Sequence, residues 1–417
     1  MQQAKAAFIL RKKGAKTMNQ SIKNRNIVLS LKVLTHIMNN FADIFVSLYF
    51  LQVSQGNLMK LIIYRMSLCI MIPTLFFLTG QTAKSRKRIW LLRGGMAASL
   101  AYFVSVLLLG ENMPDHYIMM GVMFGIKEGL YWSCSNIIEC EGVEKSDRRR
   151  FQGQYSMLKN VTGILIPIIL GGIIYKGSFW AGTFIMTLFV ATGVVLSMFY
   201  KDIKKENIGK FEFKKVFMEQ KKDRNLRLVG MYHLFSGMIY SHAAFGLFAN
   251  VYMLKIFNDS MKAGWMNAVN SSIACLLGFL LIKVLKNRNR MKITCAGAAT
   301  LLTASVIILV STQAPWAAIM FYIVYGIYKE STSNIDSILY NNVMCSSKLL
   351  RENKSEYSLL VDTWLFVGRM SGYILLAAYA FTGLDMLILV FLVPIAITAA
   401  LFCKLLNTDI NNAIMVE

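Results

Sequence analysis

The chain has 417 residues, of which 56% are hydrophobic and 16% charged, with a mean hydropathy of +0.49 and a formal net charge of +23. A soluble domain carries about 25% charged residues, so a large water-soluble enzyme or regulator is excluded. The positive excess is compatible with nucleic acid as a total, but its distribution along the chain assigns it to membrane topology.

Apolar runs of about 20 residues span a hydrocarbon core about 30 Å thick. Twelve follow one another, at 29–54, 57–80, 89–110, 116–140, 153–176, 178–200, 227–253, 261–283, 292–311, 315–341, 356–381 and 384–405. They are predicted as helices 1 to 12. The first 28 residues lack a long apolar stretch, which predicts a cytoplasmic arm and not a cleaved signal peptide. Basic residues cluster in alternate loops. Lys84, Arg86, Lys87 and Arg88 follow helix 2, and Lys145, Arg148, Arg149 and Arg150 follow helix 4. The densest run lies between Lys201 and Arg227, and further groups follow helices 8 and 10. The loops at 111–115, 312–314 and 382–383 carry none. This alternation predicts a cell-membrane protein with both termini in the cytoplasm. The seven cysteines are odd in number and match no metal-site spacing.

The basic segment 201–226 divides the chain in two. Lys127-Glu128 on helix 4 and Lys329-Glu330 on helix 10 sit inside apolar stretches, separated by 329 − 127 = 202 residues. Tyr155-Ser156-Met157-Leu158 and Tyr357-Ser358-Leu359-Leu360, which open helices 5 and 11, repeat at 357 − 155 = 202. His36 and His233 nearly match, at 233 − 36 = 197. The predicted architecture is therefore an all-α integral membrane protein with two pseudo-symmetric six-helix bundles. Its parts are an arm at 1–28, a first bundle at 29–200, a linker at 201–226, a second bundle at 227–405 and a tail at 406–417.

These features resemble the major facilitator superfamily of secondary transporters over about residues 29–405. The most specific match is Arg148-Arg149-Arg150-Phe151-Gln152-Gly153-Gln154-Tyr155-Ser156 in the helix 4–5 loop. Helix 5 continues with Gly163, Pro167, Gly171 and Gly172, similar to a loose form of the glycine-proline motif of the family's antiporters. The helix 2–3 loop, from Gly80 to Arg86-Lys87-Arg88, resembles the family's gating motif but has Lys84 at the acidic position. The family's charge link between the halves is thus not expected here in its usual form. The resemblance implies that helices 1, 4, 7 and 10 line a central cavity, helped by 2, 5, 8 and 11, while 3, 6, 9 and 12 face lipid.

Intramembrane charges agree with that assignment. Helix 1 has His36 and Asp43, helix 4 Lys127 and Glu128, helix 5 Lys159, helix 7 His233 and His242. Helix 10 has Lys329, Glu330 and Asp336, and helix 11 Asp362 and Arg369. Helix 3 has only Arg93, near its end, where it is expected to snorkel. A mid-bilayer charge costs roughly 2.5–3.5 kcal/mol on insertion scales, so such residues are candidates for function. Adjacent Lys127 and Glu128 point about 100° apart, so each is expected to meet a partner on another helix. Glu128 shares a face with Trp132 and Ser135, Glu330 with Asn334, and Asp362 with Arg369. The candidate substrate and proton-coupling set is Asp43, Lys127, Glu128, Trp132, Lys159, His242, Lys329, Glu330, Asn334, Asp362 and Arg369. The candidate gating set is Gly80, Arg86, Lys87, Arg88, Arg148, Arg149 and Arg150.

No phosphate-binding GxxxxGK[ST] loop occurs, so an ion gradient or the substrate's own gradient must supply the energy. No HExxH or GxSxG pattern occurs in the spans, and neither an enzyme nor a cofactor is expected. The expected function is alternating-access, proton-coupled efflux of a small or drug-like molecule by a monomer, with protons and lipids as its other partners. The alternatives are an importer of an organic solute, an anionic one included, and a non-transporting protein on the same fold.

Overall fold

The computed structural model describes residues 2–85, 87–142, 148–176, 178–201, 209–239, 243–257, 269, 272, 273, 276, 288–383 and 385–407. Among them the backbone is helical almost throughout, with no strand. Helix 1 runs through Gln2–Phe41, a π-turn at Ala42–Val46, and Ser47–Val53. The arm is thus continuous with helix 1. Its sequence holds no proline and abounds in good helix formers such as Ala, Lys and Arg.

Helix 2, Leu58–Lys84, starts at Asn57, whose side chain accepts the Lys60 amide at 3.2 Å. Helix 3, Arg88–Leu109, and helix 4, Tyr117–Gly142, are joined by a 3₁₀ turn that opens at Gly110, with φ of +49°. Helix 5 is Arg148–Lys176 and helix 6 Phe179–Phe199. Helix 7 comprises Arg224–Ile239 and Ala244–Phe257. Predicted helix 8 lies outside the described residues, apart from isolated positions. Helix 9 is Arg288–Thr312, helix 10 Pro315–Ser346, helix 11 Lys354–Thr382 and helix 12 Leu392–Leu405. Gly383, in the left-handed region at φ +67°, ends helix 11. The linker also contains a helix, Phe213–Lys222, which packs on helices 7 and 11.

Seven helical stretches among the described residues are long and apolar enough to cross a membrane, and one of them, 88–139, holds both helices 3 and 4. The protein is a multi-pass membrane protein. Exposed Phe77, Leu78, Leu108, Trp180, Leu301 and Phe381 form part of its apolar outer surface.

The halves pair their helices in the same way. Helix 3 packs on helix 6 as helix 9 packs on helix 12, and helix 1 on helix 5 as helix 7 on helix 11. The halves meet where helix 11 packs on helices 2 and 4. Close contact is built from small residues, as membrane helix pairs require. Gly121, Gly125 and Gly129, spaced four apart on helix 4, lie against the helix 2 backbone at Tyr64, Leu68 and Ile72. Gly237 and Gly368 do the same where helices 7 and 11 cross.

Candidate central site and gate

The π-turn in helix 1 carries Asp43. A π-turn re-aims the side chains it carries and recurs at functional sites. Here Asp43 Oδ1 accepts a hydrogen bond from Arg65 Nη1 at 2.5 Å, while Arg65 Nη2 donates to Ser47 Oγ at 2.7 Å. Arg65 is buried on helix 2. It is the principal residue that the sequence reading omits, although a lone arginine inside the run LIIYRMSLCIM is itself a signal.

Lys127 and Glu128 are both fully buried. The expectation that these neighbours do not pair is corrected: Lys127 Nζ lies 2.7 Å from Glu128 Oε1. Their Cα–Cβ vectors diverge, but the four-carbon lysine stem curls back to close the gap. Lys127 also donates to Asn39 Oδ1 on helix 1 and sits 4.0 Å from the Phe124 ring centroid. Trp132 Nε1 donates to Glu128 Oε2 at 2.7 Å.

On helix 10 the arrangement differs. Glu330 Oε2 lies 3.3 Å from Lys159 Nζ on helix 5, an ion pair between the two halves. Lys329 is exposed. The charges that act on it are Lys159, Asp43 and Glu330, while Lys159, Lys329 and Asp43 act on His36. Asn40 Nδ2 lies 3.1 Å from His36 Nε2. These groups gather charged and polar side chains of helices 1, 5 and 10 in one region between the halves. Arg369 Nη1 donates to Asp362 Oδ1 at 3.2 Å, one pair along a face of helix 11. His233 Nδ1 stands 3.9 Å from Asp336 Oδ1. Among the described residues no group of three His, Cys, Asp or Glu could hold a metal ion.

A second cluster joins the halves at the end bearing the basic loops. Lys84 Nζ donates to Glu356 Oε1 at 2.6 Å, Asn353 Oδ1 at 3.1 Å and the Lys210 carbonyl at 3.1 Å. The Glu212 amide donates to the same Glu356 oxygen at 3.0 Å, and Ser355 Oγ donates to the Gly80 carbonyl at 3.2 Å. Glu356 lies in the first turn of helix 11, where the helix dipole favours an anion. The departure at Lys84 therefore does not remove the charge link between the halves; its polarity is inverted. Gly80 lets the Phe211 ring lie against helix 2; a Cβ there would displace that ring. Lys87 is exposed and Arg88 buried at the start of helix 3.

Arg86 and His242 lie outside the described residues, as do the side chains of Arg148, Arg149, Arg150 and Asn334. Arg93 does not simply snorkel: its Nη2 donates to the Met198 carbonyl at 3.1 Å, at the end of helix 6. The sequence reading also omits Lys32, which pairs with Glu139 and lies 4.4 Å from the Tyr155 ring centroid.

Three similarities bear on this arrangement. A Bacillus subtilis (strain 168) protein described as uncharacterized protein YqgE is 28% identical over 335 residues, which is 79% of this chain and 76% of the relative. A bacterial homologue of the iron transporter ferroportin, solved in an inward-facing state, superposes with a TM-score of 0.62 at 14% identity, covering 94% of this chain and 99% of that one. The nucleoside transporter NupG superposes with a TM-score of 0.64 at 12% identity, covering 94% and 100%. At such identities the structural likeness establishes the fold alone. The family model described as Major Facilitator Superfamily matches residues 28–373. The chain belongs to the Major Facilitator Superfamily.

Proposed function

We propose that this protein is a proton-coupled secondary transporter that moves a small polar solute across the cell membrane by alternating access, with both termini in the cytoplasm. The observation that carries the reading is the Lys159–Glu330 pair, which ties helix 5 of the first half to helix 10 of the second within that polar region. A proton on Glu330 removes the carboxylate charge, breaks that tie and releases the halves to rock. The Lys84–Glu356 cluster is the cytoplasmic gate in this scheme, and opening toward the cytoplasm requires it to part.

The helix 5 motif supports export of a small molecule by exchange with protons. The cross-half pair supports a second reading. Protonating Glu330 frees Lys159, so proton and solute bind together and uptake results. The structural neighbours are described as transporters of iron and of nucleosides.

The test is flux in proteoliposomes under an imposed pH gradient. Glu330→Gln is expected to lose proton-driven accumulation while retaining solute counterflow. Retention of full proton coupling in Glu330→Gln removes Glu330 from the mechanism. The direction of the driven flux relative to the proton gradient separates export from uptake.

A further inference from the structure

The two Lys-Glu dipeptides hold equivalent places in the halves but resolve their charges differently. Lys127 spends its charge on Glu128, 2.7 Å away, and on Asn39. Glu330 turns instead to Lys159 at 3.3 Å. The Lys329 ammonium has no ion-pair or hydrogen-bond partner among the described residues and is exposed.

The asymmetry has a cause in the sequence. Adding the repeat offset to Lys159 gives 159 + 202 = 361, which is Val361, so helix 11 offers Glu128 no base at the matching place. Adding the helix 1–7 offset to Asn39 gives 39 + 197 = 236, which is Ser236. That hydroxyl is committed to the His233 carbonyl at 3.1 Å. Lys329 therefore lacks both the carboxylate and the amide that satisfy Lys127.

Charge accounting gives the same result. Among the described residues, Arg65–Asp43, Lys127–Glu128, Lys159–Glu330 and Arg369–Asp362 are matched pairs, and Lys329 is in none of them. The other carboxylate of helix 10, Asp336, faces His233 at 3.9 Å. It lies seven residues, about 10 Å, further along the helix. His36, whose surroundings include Lys159 and Lys329, adds no negative charge.

We propose that Lys329 is the binding group for an anionic substrate, an organic carboxylate or phosphate, in the central hollow. This rests on the transport reading above. An exposed ammonium with no protein counter-charge gains from a ligand that supplies one through charge-assisted hydrogen bonds. Lys159 is the second cation, and it turns to the ligand when Glu330 is protonated.

The test places a single cysteine at Asn40, beside His36, in the full-length chain with its seven native cysteines replaced. Its labelling rates with a negatively charged sulfonatoethyl and a positively charged trimethylammonioethyl methanethiosulfonate are compared. At an effective dielectric near 20, one unit charge about 10 Å away speeds the anionic reagent by on the order of tenfold and slows the cationic one by as much, a ratio on the order of a hundredfold. Lys329→Gln is expected to erase that preference, Lys329→Arg to keep it, and Glu330→Gln to increase it. Equal rates for the two reagents, or a preference unchanged by Lys329→Gln, overturn the inference and leave the hollow and the transport reading standing. Failure of both reagents to reach position 40 from either side sinks the transport reading itself, and this inference with it. Thermal stabilisation by succinate or by glucose 6-phosphate, lost in Lys329→Gln, assigns the carboxylate or the phosphate class. Equal stabilisation by the neutral succinamide and glucose overturns the proposal.

Discussion

Lys84→Met should open the end of the bundle that bears the basic loops. Lys84 supplies three hydrogen bonds, at 2.6, 3.1 and 3.1 Å, and its partner Glu356 is fully buried. Removing one member of a buried pair costs roughly 3–5 kcal/mol, because the other charge is left uncompensated. Glu356 keeps the Glu212 amide and the dipole of helix 11, together worth about 1–2 kcal/mol. The net penalty on the closed arrangement is therefore about 1–4 kcal/mol. In the open arrangement water solvates Glu356 and the penalty vanishes, so the equilibrium moves by about 5- to 700-fold toward open. Pulsed electron resonance between spin labels at Lys87→Cys and Arg351→Cys, both exposed positions, reads this as a new, longer distance component in nanodiscs. An unchanged distance distribution in folded Lys84→Met protein refutes the reasoning. The swap Lys84→Glu with Glu356→Lys should not restore closure. The Lys210 carbonyl would then face a carboxylate, and the Glu212 amide an ammonium.

Further outcomes are open to the same treatment. Arg65→Lys should fail to replace arginine in solute flux, because two separate guanidinium nitrogens serve Asp43 and Ser47; flux equal to the parent would remove that pair from the site. Gly368→Val should lower thermal stability in detergent by about 1–3 kcal/mol or more, since any Cβ there overlaps the Leu234 carbonyl. Unchanged melting would mean that helices 7 and 11 do not cross as closely as described. Trp132→Phe should weaken proton-driven transport less than Glu330→Gln does. It removes one donor to Glu128 while the Lys127 pair stays in place.

Much of the fold was legible because hydrocarbon imposes a simple code. Each predicted span within the described residues coincides with a helix, since length and apolarity decide membrane insertion locally. The repeat was legible for a related reason. Charged dipeptides inside apolar runs are costly, so their recurrence at one offset stands out. Pairings were not legible. Lys84 and Glu356 lie 272 positions apart, and only the packing of helix 2 on helix 11 brings them together. The role of Arg65 depends on a π-turn that swings Asp43 toward it, and no pattern in ADIFV announces one. The linker helix was hidden by its charge. Val216 and Gln220, four apart, are its buried positions, too few to register against the surrounding lysines.

Among the described residues two ion pairs join the halves, and their strengths constrain how a proton could drive the cycle. Lys159–Glu330 links helix 5 to helix 10, while Lys84–Glu356 links helix 2 to helix 11 at the end bearing the basic loops. Moving a two-state equilibrium from 1:99 to 99:1 takes about 5.5 kcal/mol. Losing one buried pair supplies roughly 3–5 kcal/mol at most, and Lys159 is about one quarter exposed, so its pair supplies less. Protonation of Glu330 alone therefore cannot carry the protein from fully closed to fully open. The gate must start close to balance, or the solute must contribute the remainder. An anion on Lys329 does so if it binds one arrangement of the halves better than the other. Proton and solute would then each be insufficient alone and sufficient together, which is the condition for tight coupling without leak.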